Sequence, residues 1–304
     1  MSRRLLCCGA AVAALAGCGS GSHSSSTPTK LKVGGTTGIL ISAFGSVWTT
    51  DLSGGRLLRI DPGTLHVTGH VALGVDRPYG LATGAGSIWV ASQQAETLAR
   101  IDPRTLKIEK TIHVGFEAFA AAFAAGSVWV SLEGESAVVR VDPSTNRVVA
   151  RIGPIPDPNG LVYAYGALWV TDFSANRLVR IDPRTNRITK YSADIPAPDW
   201  ITPVDGALWV SSESGRIYRV DPQTGKITGK VKVGQNPLAS AWVDGQLWVP
   251  NIDSNTISIV DPEHLKVIQT IRAGASPLGA LATPGGVLVT MSDAGAIWRF
   301  DASG

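Results

Sequence analysis

The feature that most constrains this chain is a repeat of about 40 residues. A Gly-x-apolar-Trp-Val segment places Trp48, Trp89, Trp129, Trp169, Trp209 and Trp248 at intervals of 39 to 41 residues, and Val289 takes the seventh place. An Ile/Val-Asp-Pro segment keeps step with it through Asp61, Asp102, Asp142, Asp182, Asp221 and Asp261, and Asp301 opens a truncated seventh. Each unit holds four short runs of strand-forming residues separated by turn residues, as in 78–82, 87–92, 97–102 and 107–114. Four strands per unit, seven times over and with no helical period, predict an all-β, seven-bladed β-propeller of four-stranded blades.

The two ends of the repeat predict how the ring closes. The last unit stops after its third strand, at residues 296–300. The body begins with Thr29-Lys30-Leu31-Lys32-Val33-Gly34, which matches Gly229-Lys230-Val231-Lys232-Val233-Gly234, the fourth strand of the fifth unit. Residues 29–34 are therefore expected to complete the last blade. Closure of this kind leaves no open end in the ring of blades.

Residues that recur in every unit read as structural. The tryptophans are expected to pack between neighbouring blades, where a large rigid side chain fills the wedge between sheets. Asp-Pro-x-Thr suits a tight turn, because Asp caps backbone N–H groups and Pro presets the next φ. Arg59, Arg100, Arg140, Arg180, Arg219 and Arg299 stand two residues before those aspartates, with Ile259 in the sixth unit. A group supplied so regularly reads as a structural tie.

Charge and cysteine content bound the function. The chain has 304 residues, 27 Lys and Arg against 24 Asp and Glu, and three Cys. A net charge of +3 is too weak for a nucleic-acid partner held by phosphate neutralisation. Met1-Ser2-Arg3-Arg4, the apolar run 5–15 and Leu15-Ala16-Gly17-Cys18 have the layout of an export signal, and the run is too short to span a bilayer. Its last four residues resemble a bacterial lipobox. That resemblance implies a signal peptide over 1–17, cleavage before Cys18, a diacylglycerol on Cys18, and a flexible Ser/Gly linker to residue 29 ahead of a propeller over 30–304. The expected location is the cell envelope, outside the cytoplasm, with the protein held on a bacterial membrane as a monomer. Losing Arg3 and Arg4 leaves 25 basic residues against 24 acidic, and a body without any thiol that could form a disulfide or bind zinc.

The repeat Gly166-Ala167-Leu168-Trp169-Val170, followed by 176–186 with Arg180-Ile181-Asp182-Pro183, resembles the virginiamycin B lyase-like and YVTN-type propellers. The resemblance implies a magnesium-assisted elimination in some members. There a His in a Pro-His-Gly slot at the start of an inner strand works with a Glu and a second His just after the last blade's Trp strand. The corresponding slots here hold Gly38, Tyr79, Phe119, Asn159, Asp199, Leu238 and Leu278. The last-blade positions are Leu278, Ser292 and Ala294, which cannot act as base, acid or metal ligand. The chain is thus expected to bind a partner without catalysis and without a cofactor. Magnesium enters only under the alternative, a streptogramin lyase or another carboxylate-based lyase or hydrolase.

A ligand of a propeller meets the mouth formed by the loops that enter the inner strands and those joining second and third strands. These loops carry Asp51, Asp76, Glu96, Glu117, Glu133 and Glu135 in the first three units. Asp157, Asp172, Asp194, Asp199, Glu213, Asp253 and Asp293 follow in the rest, making thirteen of the 24 acids. The basic residues there are Arg56, Arg77, Arg177 and Arg216. A concave face of one sign concentrates cations and positively charged partners. Tyr79, Phe119 and Trp200 stand at strand entries beside Asn159, Asp199, Asp172 and Glu133. Aromatics beside acids suit a cationic small molecule, a peptide or a protein, with Glu213 and Asp253 completing the expected site.

Overall fold

The structure is a computed structural model that describes residues 27–192 and 194–301. Seven antiparallel four-stranded sheets follow one another along the chain. Blade 1 comprises Thr37–Ala43, Ser46–Asp51, Arg56–Ile60 and Val67–Ala72, in order from the inner strand to the outer. Blade 2 runs from Pro78 to His113, blade 3 from Ala118 to Ile152, blade 4 from Pro158 to Tyr191, blade 5 from Pro198 to Lys232 and blade 6 from Ala241 to Arg272. The last blade takes Pro277–Thr283, Gly286–Met291 and Ala296–Phe300 from the C-terminal end and Thr29–Lys32 from the N-terminal end. The expected closure is therefore present, with Lys30 opposite Trp298 and Lys32 opposite Ala296. Val33 and Gly34 extend the seam by donating their N–H groups to the Gly295 carbonyl.

The tryptophans work as expected. Trp48, Trp89, Trp129 and Trp169 are fully buried, and Trp209 and Trp248 nearly so. Each packs on the next blade: Trp89 against Val128, Val130 and Val139, Trp129 against Leu168, Val170 and Ile181, and Trp209 against Leu247, Val249 and Val260. In Trp48, Trp89, Trp129 and Trp169 the indole N–H is satisfied within its own blade, as in Trp89 to the Gly84 carbonyl (3.0 Å) and Trp48 to the Ala43 carbonyl (2.9 Å). A side chain of this size, with its donor satisfied, contributes about 3–5 kcal/mol relative to Ala when buried.

At the seventh interface the structure corrects the register. Leu288, not Val289, pairs with Arg299 as Trp89 pairs with Arg100, and it packs on Leu40, Val47 and Ile60 of blade 1. The two consecutive glycines Gly285 and Gly286 leave the sequence frame ambiguous by one residue. Strand alternation settles it, because a shift of one would turn the wedge to the opposite face.

The Asp-Pro turns and the arginines also behave structurally. Asp61 Oδ1 accepts the N–H groups of Gly63 (2.9 Å) and Thr64 (2.8 Å), and Asp221 Oδ1 those of Gln223 (2.7 Å) and Thr224 (3.0 Å). Arg100 donates to the Pro143 carbonyl in the next blade (2.7 Å), and Arg140 to that of Pro183 (3.2 Å). Arg299 closes the ring in the same way on the Gly63 carbonyl (2.8 Å).

Charge is divided between the mouth loops and the circumference. The seven outer strands hold twelve Lys and Arg, two on each of six strands, against Glu109 alone; the outer strand of blade 1 has neither Lys nor Arg. The basic surplus that offsets the acidic loops thus lies around the circumference. Lysines at exposed edges also discourage edge-to-edge pairing with other chains.

Candidate functional site

The entry slots of adjacent inner strands meet one another, and the ring they form is packed shut. Tyr79 and Phe119 stack with ring centroids 4.5 Å apart and planes 24° from parallel, and both are buried. Leu238 and Leu278 are buried across the ring. Trp200, half-buried, packs on the core cluster that holds Leu52, Tyr79 and Phe119 and also on the one that holds Ile39, Leu238 and Leu278. A ligand approaching from this side meets a closed apolar floor.

Two polar side chains interrupt that floor, Asn159 at 1% exposure and Asp199 at 3%. Their strands are positioned by hydroxyls from the preceding blade. Ser131 donates to the Asn159 carbonyl (2.8 Å) and accepts from the Ala120 N–H (3.0 Å). Thr171 donates to the Asp199 carbonyl (2.9 Å) and accepts from the Gly160 N–H (2.8 Å). The signal for these hydroxyls is in the sequence, two residues after the wedge: Ser131, Thr171, Ser211 and Thr290 each accept an inner-strand N–H, whereas Thr50 makes no such bond and Ala91 and Pro250 carry no hydroxyl. Inner-strand register shifts at these points leave backbone groups that such a hydroxyl satisfies.

Among the acids of the mouth, Asp172 is a loop brace. It is fully buried, accepts from Arg177 Nε (3.1 Å) and from the Asp157 N–H (3.2 Å), and holds the loop between the second and third strands of blade 4. Asp51 does the same in blade 1, with Arg56 at 2.6 Å and the Gly54 N–H at 2.8 Å. Burial alone would raise the Asp51 pKa; the hydrogen bonds from Arg56, Gly54 and Ser53 outweigh it, so the carboxyl lies below its ordinary value. Glu135 accepts the Phe116 N–H (2.7 Å), the largest cause of its lowered pKa; burial opposes that, and the pairing with Arg151 adds to the lowering.

The accessible acids form the rim. Glu213 and Asp253 are exposed on the loops of blades 5 and 6, as are Asp76, Asp194 and Asp293 elsewhere on this face. Glu133 is half-buried and accepts from Gln93 of blade 2 (3.3 Å). The exposed aromatic of the rim is Phe116, at 48%, whose ring covers Gly134; a Cβ there would stand 2.1 Å from the ring. The structure thus brings Tyr79, Phe119, Asn159, Asp199 and Trp200 together in the floor. Glu133, Glu213 and Asp253 stand on the rim, and Asp172 lies beneath it. The signals that separate the two sets are burial and pairing, which a single sequence does not display.

The one-residue register change at the last blade brings no histidine to the end of its second strand, where Met291, Ser292, Asp293 and Ala294 follow one another. The five histidines lie elsewhere: among the described residues His70 and His113 are on outer strands and His66 and His264 at Asp-Pro turns, while His23 lies outside them. No group of three or more His, Cys, Asp or Glu is arranged to hold a metal ion among the described residues.

No protein-family model and no curated protein matches the sequence. Solved structures do match the fold. One described as a streptogramin B lyase structure superposes with a TM-score of 0.77 at 16% identity, covering 90% of this chain and 96% of its own. Hydrazine synthase from Kuenenia stuttgartiensis gives 0.74 at 14% identity, covering 93% and 99%. At such identities the likeness shows the architecture, and two neighbours of unrelated named chemistry illustrate that this scaffold does not dictate an activity.

Proposed function

We propose that this chain is a lipid-anchored, extracytoplasmic binding protein whose acidic rim takes a positively charged partner, a peptide, a protein or a cationic small molecule, without catalysis. The observation that carries this reading is the one-sided rim. Of its four arginines, Arg56 and Arg177 are paired to buried aspartates, while Glu213, Asp253, Asp76, Asp194 and Asp293 stand exposed. An excess of one sign of charge on a concave face raises the local concentration of cations and speeds their arrival. The closed floor supports surface capture over engulfment, with Phe116 available to cover the alkyl stem or ring of a bound cation.

Cys18, the expected anchor site, and the export signal lie outside the described residues. The described chain enters the last blade with Thr29 opposite Arg299, on the side of the Asp-Pro turns. That entry point supports a tether that holds the rim away from the membrane.

Titration with an oligolysine peptide tests the rim. Binding should be saturable at low salt, weaken as salt is added, and be lost in a Glu213→Lys, Asp253→Lys double variant of unchanged melting temperature. Unaltered affinity in that variant overturns the assignment. A second reading, lyase chemistry on a streptogramin B, draws support from the structural likeness to a streptogramin B lyase. It is opposed by Leu278 at the slot that the resemblance assigns to the first His and, in the corrected register, by Met291 and Asp293 where it assigns the Glu and the second His, a set without a histidine. Turnover of a streptogramin B with magnesium, abolished by Asp199→Ala, would establish it against the binding reading.

A further inference from the structure

Among the described residues no arginine crosses from blade 4 to blade 5 or from blade 5 to blade 6, and at the first of these interfaces the missing tie opens a groove that the sequence explains. Arg100 and Arg140 reach the next blade because three neighbours direct them there. Ser87 and Ser127 accept from Nε (2.9 and 2.8 Å). Asn146 and Asn186 accept from Nη1 in the following turn (3.2 and 3.0 Å). Neither Glu109 nor Val149, nine residues on, offers a hydroxyl on the arginine's own blade.

At the interface of blades 4 and 5 all three neighbours change. The serine is Ala167, the asparagine is Gly225, and residue 189 is a threonine. Arg180 accordingly turns back and donates to Thr189 Oγ1 (2.8 Å), its single side-chain hydrogen bond among the described residues. Gly225, at φ +69°, also makes room: a Cβ there would lie 3.3 Å from Lys190 Cε. Lys190 crosses that space and donates to the Gln223 carbonyl (2.9 Å).

What remains is a groove of about 510 Å³, lined by Arg180, Thr189 and Lys190 on one side and Gly206, Pro222 and Gln223 on the other, with Tyr165 at its end. That volume is in the range of small-molecule sites. Two cations face it with donors to spare, since a guanidinium carries five N–H groups and an ammonium three. The carboxylates of the flanking Asp-Pro turns accept from their own backbones, Asp182 from the Arg184 N–H (2.8 Å) and Asp221 from Gln223 and Thr224, with Asp221 also near Lys190; Asp205, beside Gly206, is the other acid here and lies toward Tyr165. Tyr165 donates to the Ala207 carbonyl (3.2 Å) and leaves its half-exposed ring as an apolar wall.

We propose that this groove, on the face opposite the acidic rim, is an oxyanion site that takes the carboxylate or phosphate group of a small ligand between Arg180 and Lys190. A planar fork beside a point charge matches such a group. The site owes nothing to the rim and stands or falls independently of the reading given to it.

Calorimetric titration of the full chain with inorganic phosphate and, separately, citrate at matched ionic strength tests the proposal. Saturable binding is expected for one of them, and which one binds distinguishes phosphate from carboxylate. Arg180→Ala should weaken it at least about tenfold, and Arg180→Lys should restore only part of it, because the fork is lost. The triple variant Ala167→Ser, Thr189→Val, Gly225→Asn copies the interface of blades 3 and 4. It should turn Arg180 onto the next blade and abolish binding while melting no lower than the parent. Absence of saturable binding with either anion, or binding unchanged in Arg180→Ala, overturns the proposal. The single arginine variants decide the matter even if the triple variant does not fold.

Discussion

The interfaces of blades 2 with 3 and 3 with 4 differ from those of blades 4 with 5 and 5 with 6 in one respect. In the first pair an arginine crosses to the next turn and finds a carbonyl and an asparagine. In the second pair Arg180 folds back on Thr189, and Arg219, which also has a threonine nine residues on, makes no hydrogen bond to the next blade among the described residues. Yet the apolar wedge is the same on both arcs, with Trp89 and Trp129 on one and Trp169 and Trp209 on the other. Non-directional burial closes this ring, and directional ties are added where the local residues allow.

Truncating the wedge should therefore have the largest effect and ignore the distinction between arcs. Trp129→Ala and Trp209→Ala should each cost about 3–5 kcal/mol in denaturant unfolding. A markedly cheaper Trp209→Ala would show that the untied arc relies on something else. The ties come next. Arg140→Ala leaves the Pro183 carbonyl, Asn186 and Ser127 without their donor and should cost about 1–3 kcal/mol. Arg219→Ala should stay within about 0.5 kcal/mol. Equal costs would dissolve the comparison.

A subtler contrast lies in the rim loops. Asp51 in blade 1 braces its loop through charge, whereas Asn251, its counterpart in blade 6, uses neutral bonds to Thr256 and Ser258. The folded pKa of Asp51 is depressed, so its contribution is present above the unfolded aspartate value and is lost as pH falls through the folded value. Asp51→Asn should thus reduce the drop in melting temperature between pH 7 and about pH 3. An unchanged drop would assign acid sensitivity to other carboxylates, such as Glu135.

Much of this was legible beforehand because repetition averages out local ambiguity. The blade count, the strand order, the closure by residues 29–34, the Trp wedges and the Asp-Pro turns all rest on signals present six or seven times. The misplacement at Val289 came in the unit with no tryptophan to fix the frame. The mouth was harder to read for the same reason, since its residues are the departures from the repeat. Tyr79 and Phe119 are equally compatible with an open aromatic cup and with the stack they form, and Asp172 looks like any loop acid until Arg177 is found beside it.

By itself the sequence determined the ring, because a period in strands and wedges has one compact solution. It also determined the imbalance of charge, because the acids fall on one class of loop and the lysines and arginines on the outer strands. Only the tertiary structure decided which acids are buried braces and which stand exposed on the rim, that the floor is shut, and that Arg180 turns away from the next blade. Those outcomes depend on contacts between units some 40 residues apart, where a hydroxyl, an amide or a missing Cβ on one blade chooses the partner of a side chain on another.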